Sequence, residues 1–166
     1  MATFVLVALV VYVFDHIMKY WAELSLTIGQ AQAALDGVLE WRLSHNDGMA
    51  LGLLGGQTAL VIALPIVAVT IGALVFRYYR MTAYTRVSAA LVFGGFAGNF
   101  ADRLIDGYVV DMLYFPWMPW YVCNVADVAI CVGVALLVVS LLFRPKDWIP
   151  RKQKKEIPDG NAEGGA

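Results

Sequence analysis

The chain has 166 residues; 60% are hydrophobic, 15% are charged, and the formal net charge is -1. Soluble domains carry about 25% charged residues, and a single domain of this size cannot hide so much apolar surface from water. Lipid is therefore the expected solvent, and the near-neutral charge gives no basis for a nucleic-acid partner.

The first predicted element is an apolar helix over about residues 2–21. It is expected to be a retained membrane span rather than a cleaved signal peptide, because no basic residue precedes Lys19 and no small-residue cleavage site is convincing. Asp15 and Lys19 stand four apart on it and share a face. The connection that follows, residues 22–57, holds an alternating stretch, Gly37 to Ser44, that predicts a short strand. His45-Asn46-Asp47-Gly48 then reads as a turn, and a second apolar piece covers Met49 to Leu54. Together these predict a small extracytoplasmic β-rich segment between the first and second helices.

Three more spans follow, each near the length that crosses a bilayer. The second, about 58–76, has no charge. The third, about 86–101, is rich in small residues, and Gly94 and Gly98 have the GxxxG spacing that lets backbones approach in lipid. The fourth is expected over about 122–143. The fold class expected is thus an all-α membrane protein of four transmembrane helices, residues 1–150, followed by a polar, disordered tail, 151–166.

Charge placement sets the orientation. Nine of the 12 basic residues lie between the second and third spans or after the fourth: Arg77, Arg80, Arg86, Arg144, Lys146, Arg151, Lys152, Lys154 and Lys155. Both termini should face the cytoplasm, and the connections 22–57 and 102–121 should face outward. Trp21, Trp41, Trp117, Trp120 and Trp148 lie at span ends or in loops, where a half-polar ring suits the membrane interface. Cys123 and Cys131, eight apart on one expected helix, are too far separated for a disulfide. His16 and His45 have no metal-ligand pattern, so no metal is expected.

Ionisable residues in or beside membrane spans are costly and mark function. Asp15 and Lys19, Asn99 with Asp102 and Arg103, and Asn124 with Asp127 all fall near the outer ends of their helices, and Asp111 lies in the second outer connection. A salt-bridge network that fixes helix register explains Asp15–Lys19 and Asp102–Arg103. It does not explain Asp111 and Asp127, which have no basic residue near them in sequence. Two carboxylates sharing a partly dry site do not both ionise. The charged one can take a proton from water while the protonated one hydrogen-bonds a scissile carbonyl, which gives peptide hydrolysis without a covalent intermediate. Sequence does not assign the proton to one member of the pair.

Five motifs in order resemble those of the lipoprotein signal peptidases, the signal peptidase II family. They are Asp15-His-Ile-Met-Lys19, Asn46-Asp-Gly-Met-Ala50, Gly94 through Arg103, Gly107-Tyr-Val-Val-Asp111 and Asn124-Val-Ala-Asp127. The resemblance covers nearly the whole chain to Leu142. It implies that Asp111 and Asp127 form a catalytic dyad, that Asn46, Gly48, Asn99, Arg103, Asn124 and Ala126 bind substrate or brace the site, and that Asp15, Lys19 and Asp102 form a structural polar network. It also implies a monomeric, cofactor-free aspartic endopeptidase of the bacterial inner membrane, with its site near the outer face. Its substrate would be a prolipoprotein already carrying diacylglycerol, cut before the lipidated cysteine, with membrane lipid around it and a globomycin-type cyclic peptide as inhibitor. The chain departs from the family's usual residues at Met18, Leu51, Cys123 and Val128, which alters pocket lining rather than acid–base chemistry. The rival readings are a non-enzymatic assembly or transport subunit and a catalytically silent lipoprotein-binding homologue.

Overall fold

The computed structural model describes residues 1–48 and 58–150; the apolar piece expected at 49–54 and the tail 151–166 lie outside the described residues. Four long helices form: α1 (Ala2–Ser25), α2 (Thr58–Tyr78), α3 (Ala83–Ile105) and α4 (Val125–Phe143). Among the described residues, α1 and α4 are long and apolar enough to cross a membrane, and Pro65–Tyr78 is a shorter apolar stretch within α2. Large side chains such as Leu6, Leu9, Val10 and Phe14 on α1, and Leu141 and Leu142 on α4, are exposed. A belt of that kind suits lipid and not water.

Small residues on α3 make it the pillar of the bundle, with α1 on one side and α4 on the other. A Cβ at Gly94 would stand 2.6 Å from the Ala8 carbonyl oxygen, and one at Gly95 would stand 2.5 Å from that of Ala126. Backbone atoms cannot yield, so both positions are held to glycine by helix contact rather than by dihedral angle. Gly98 makes room for a side chain instead: its Cβ would meet the Asp15 carboxylate at 2.8 Å.

The β-rich segment expected between the first and second helices is present, and its sheet extends into the second outer connection as well. A four-stranded antiparallel sheet runs in the order β1 (Ala31–Leu35), β2 (Leu39–Asn46), β3 (Val109–Tyr114), β4 (Val122–Cys123). The second outer connection supplies half of it. Gly37 (φ 70°) turns the first hairpin, and Gly107 (φ 81°) turns the chain out of α3 into β3; both are left-handed conformations that favour glycine. Ala22 and Leu26 pack with Leu43, Val110 and Met112 to seat the sheet on the end of α1, with Trp21 edge-on to Trp41 at 4.9 Å.

Two expectations change. His45 and Asn46 belong to β2 rather than to a turn. Cys123 lies in β4, not on the fourth helix, so the two cysteines do not share an element; both are free, Cys123 buried and Cys131 exposed. The helix starts at Val125 because Asn124 caps it, accepting a hydrogen bond from the Asp127 N–H. Past α4, Arg144 and Ser140 hold the Asp147 carboxylate at 2.6 and 2.8 Å, and the Arg80 N–H donates to the Ile149 carbonyl. This strap ties the end of the described chain to the α2–α3 connection.

Candidate active site

The polar residues gather where α1, α3 and α4 meet β2 and β3. At the centre of the helical part, the Lys19 ammonium has three oxygens around it: Asp15 Oδ2 at 2.6 Å, Asp102 Oδ2 at 2.6 Å and Asn99 Oδ1 at 2.8 Å. An ammonium has three N–H donors, and the ring of partners matches that number. Asp15, itself 0% exposed, turns its other oxygen to the Ala126 N–H at 2.7 Å. One ion cluster thereby locks α1 to α3 and to the first turn of α4. Ala126 takes part through its backbone and through its small size.

Asn99 carries the cluster outward, its amide nitrogen donating to Asp127 Oδ1 at 2.8 Å. Tyr121 donates its hydroxyl to the other oxygen, Asp127 Oδ2, at 2.9 Å. On the far side, Asp111 is 2% exposed and accepts from two amides: Asn124 Nδ2 to Oδ1 at 2.7 Å and Asn46 Nδ2 to Oδ2 at 3.0 Å. Asn124 thus serves both aspartates: its oxygen caps the helix at the Asp127 N–H, 2.9 Å away, while its nitrogen fixes Asp111. Asn46 has a second task too, since its oxygen accepts from the Gly48 N–H at 3.0 Å. Arg103 then ties that loop to α3, donating to the Gly48 carbonyl at 2.7 Å and to the Asn99 carbonyl at 2.9 Å.

Burial pushes the Asp111 carboxyl up to about 7, and the negative Asp127 nearby pushes it the same way; the Asn46 and Asn124 donors oppose the rise. The Tyr121 hydroxyl is also raised, by burial first and then by Asp127, so it remains a proton donor. The Cys123 thiol, buried and facing the same carboxylates, is pushed up to about 12 and stays protonated. It is a wall and not a nucleophile at neutral pH.

Of the residues singled out from sequence, Asp15, Lys19, Asn46, Gly48, Asn99, Asp102, Arg103, Asp111, Asn124, Ala126 and Asp127 join one continuous network. Ala50 lies outside the described residues. His16 approaches Asp102 at 3.6 Å from the edge of the cluster. His45 stands apart, bonded to Glu23 and stacked on Tyr108. Tyr121 was not expected, and nothing in its local sequence marks it. Among the described residues, no group of three or more His, Cys, Asp and Glu is arranged to hold a metal ion.

The apolar exterior and the polar centre at one end of the helices define a membrane protein. The family model described as signal peptidase (SPase) II matches residues 7–143. The lipoprotein signal peptidase of Lactobacillus johnsonii is 35% identical over 86% of this chain and 93% of its own length. That of Staphylococcus aureus (strain JH9) is 30% identical over 92% and 94%. A solved bacterial membrane enzyme, determined by the in meso method at 2.3 Å resolution, superposes with a TM-score of 0.79 at 27% identity over 95% of each chain. A second, at 1.9 Å, gives 0.76 at 28% identity over 87% of this chain and 95% of that one. The chain belongs to the signal peptidase II family.

Proposed function

We propose that this chain is an intramembrane aspartic endopeptidase that removes signal peptides from diacylglyceryl-modified prolipoproteins, cutting before the lipidated cysteine. Family membership and the names of the relatives support the cleavage of lipoprotein signal peptides. The observation that carries the aspartic mechanism is that Asn124 bonds both residues, donating to the Asp111 carboxylate and accepting from the Asp127 backbone N–H, while Asn99 and Tyr121 hold the Asp127 carboxylate in different surroundings.

Asp111 serves as the acid of the pair, because it is the more deeply buried and burial raises its pKa to about 7, far above the usual carboxylate range. Asp127, held by Asn99 and Tyr121, serves as the base. It takes a proton from a water, whose oxygen bonds to the scissile carbonyl carbon. Asp111 gives its proton to the carbonyl oxygen, forming a neutral diol. The diol then returns a proton to Asp111 as the C–N bond breaks, and Asp127 passes its proton to the leaving amine. Both carboxyls end as they began, and neither a cofactor nor a covalent intermediate is required.

Asn46, Gly48, Asn99, Arg103, Asn124 and Ala126 brace this pair, and Asp15, Lys19 and Asp102 keep the helices in register. The four helices span the bacterial inner membrane with both termini in the cytoplasm, following the basic residues, and residues 1–150 work as one monomeric unit. The sheet and the dyad lie at the outer face. A globomycin-type cyclic peptide would compete there for the extended strand of substrate.

The test is cleavage of a lipidated precursor by purified protein, with Asp111→Asn and Asp127→Asn beside it. Each variant should lose about 100- to 10,000-fold in rate, the range for a positioned acid or base, with helical content unchanged. Robust turnover by either one would refute the dyad. No turnover by the parent would favour a non-enzymatic role.

A further inference from the structure

Leu113 pairs with Cys123 and Tyr114 with Val122, so residues 115–121 are the tip of the β3–β4 hairpin. The tip is two β-turns in tandem. The Met118 N–H donates to the Phe115 carbonyl at 2.8 Å, and the Tyr121 N–H donates to the Met118 carbonyl at 3.3 Å. Both turns have the same corners, Pro116 then Trp117 in the first and Pro119 then Trp120 in the second. Proline presets the backbone for the first corner of a turn. Tryptophan has no turn-forming role at the second corner, so its place there is explained by what it reaches. Trp117 is 66% exposed and Trp120 68%, although Phe115 packs against Trp117 at 5.4 Å.

Charge, position and the chemistry of indole identify what covers this pair. No side chain from Met112 to Trp120 is charged, so the tip offers nothing to a partner recognised by charge. The hairpin runs through Asn124 straight into α4, where Val128 and Val132 already belong to the exposed apolar belt. The tip therefore stands where the lipid-facing surface begins. An indole is mostly apolar with one N–H donor, which suits the headgroup boundary better than water or hydrocarbon.

The same tip reaches the dyad. Tyr121 closes the second turn and donates its hydroxyl to Asp127 Oδ2 at 2.9 Å. The backbone that carries Trp120 thus also carries a donor that holds one carboxylate. The two prolines stiffen the tip, so a displacement of the tryptophans is passed on to Tyr121 rather than absorbed. We propose that residues 115–121 are an anchor in the lipid–water boundary beside the start of α4, and that the seated tip keeps Tyr121 on Asp127. The second half rests on the proposed peptidase reading; the first does not.

The anchor is tested with the full chain in phosphatidylcholine bilayers whose acyl chains carry bromine near the glycerol end or near the methyl end. Subtracting the emission of a Trp117→Phe/Trp120→Phe double variant from that of the parent isolates these two indoles from Trp21, Trp41 and Trp148. The difference should be quenched by bromine near the glycerol end and little by bromine near the methyl end. No quenching, as for a pair that faces substrate or another protein, overturns the anchor, and so does quenching strongest from the methyl end. This measurement needs no turnover, whereas a parent that leaves lipidated precursor uncut overturns the peptidase reading instead.

Turnover tests the link to Asp127. The Phe double variant, still apolar, should keep most of the parental kcat. A Trp117→Gln/Trp120→Gln double variant should lose about tenfold in kcat, the equivalent of one hydrogen bond to a charged group, with KM unchanged and parental circular dichroism. In a Tyr121→Phe background the Gln pair should add no further loss, because the contact it disturbs is already gone. Full additivity, a loss carried by KM alone, or parental kcat in the Gln pair overturns the link.

Discussion

Asn124→Ser tests which carboxyl keeps the proton. Serine is as good a helix cap as asparagine, so the Asp127 N–H retains an acceptor and α4 still starts at Val125. The shorter side chain no longer reaches Asp111, which loses the 2.7 Å amide donor to Oδ1. That donor favours the charged form and now holds the pKa down against burial and Asp127. A hydrogen bond to a charged group contributes about 1.5–3 kcal/mol, and one pKa unit corresponds to about 1.4 kcal/mol. Losing it raises the Asp111 pKa by about one to two, from about 7 to about 8 or 9. If Asp111 is the acid of the reaction, the alkaline limb of kcat/KM moves up by the same amount, and the variant keeps its neutral-pH rate into mild alkali, where the parent has already declined. The assay is a pH series on lipidated precursor from pH 5 to 10, with circular dichroism at each point. A limb that stays in place or moves down, in a variant of parental helicity, would show that the proton sits elsewhere.

Three further outcomes follow from the same contacts. Lys19→Met leaves Asp15 and Asp102 buried without their cation; breaking a buried pair from one side costs about 3–5 kcal/mol, so the thermal midpoint in detergent should fall steeply, and parental stability would show the cluster to be ornamental. Gly94→Val drives a side chain into the Ala8 carbonyl, 2.6 Å from the added Cβ; overpacking costs about 1–3 kcal/mol, and an unchanged unfolding curve would mean that α1 and α3 lie further apart than described. Tyr121→Phe removes the hydroxyl donor to Asp127 and should lower kcat about tenfold to a hundredfold with little change in KM; a KM effect alone would make Tyr121 a substrate contact.

The helices and their polar anchors were legible because each had a local signal. Asp15 and Lys19 share a face by spacing, and the small residues of α3 announce close packing on both sides. Asp111 was harder to place. The strand that carries it, Val109–Tyr114, is buried on nearly every residue, so it lacks the alternation by which a half-exposed strand is recognised. It therefore read as connection. β4 is two residues long, and its apolar pair Val122–Cys123 runs straight into α4, which drew the expected helix start three residues too early. The cap at Asn124 held the correct boundary. Tyr121 gave no usable signal: nothing local marks a loop tyrosine whose partner lies on the following helix. The network's long-range pairings, such as Asn46 with Asp111 and Arg103 with the Gly48 carbonyl, are tertiary and have no signature in spacing.

The sheet has a consequence for the order of synthesis. β1 and β2 come from the first half of the chain, β3 and β4 from the second, and the seam between halves pairs Ser44 with Asp111. A ribosome that has made only the first two helices has produced a half-clasp with neither aspartate in it. On the proposed dyad, no active site can be complete before β3 and the first turn of α4 have been made, because Asp111 and Asp127 lie there.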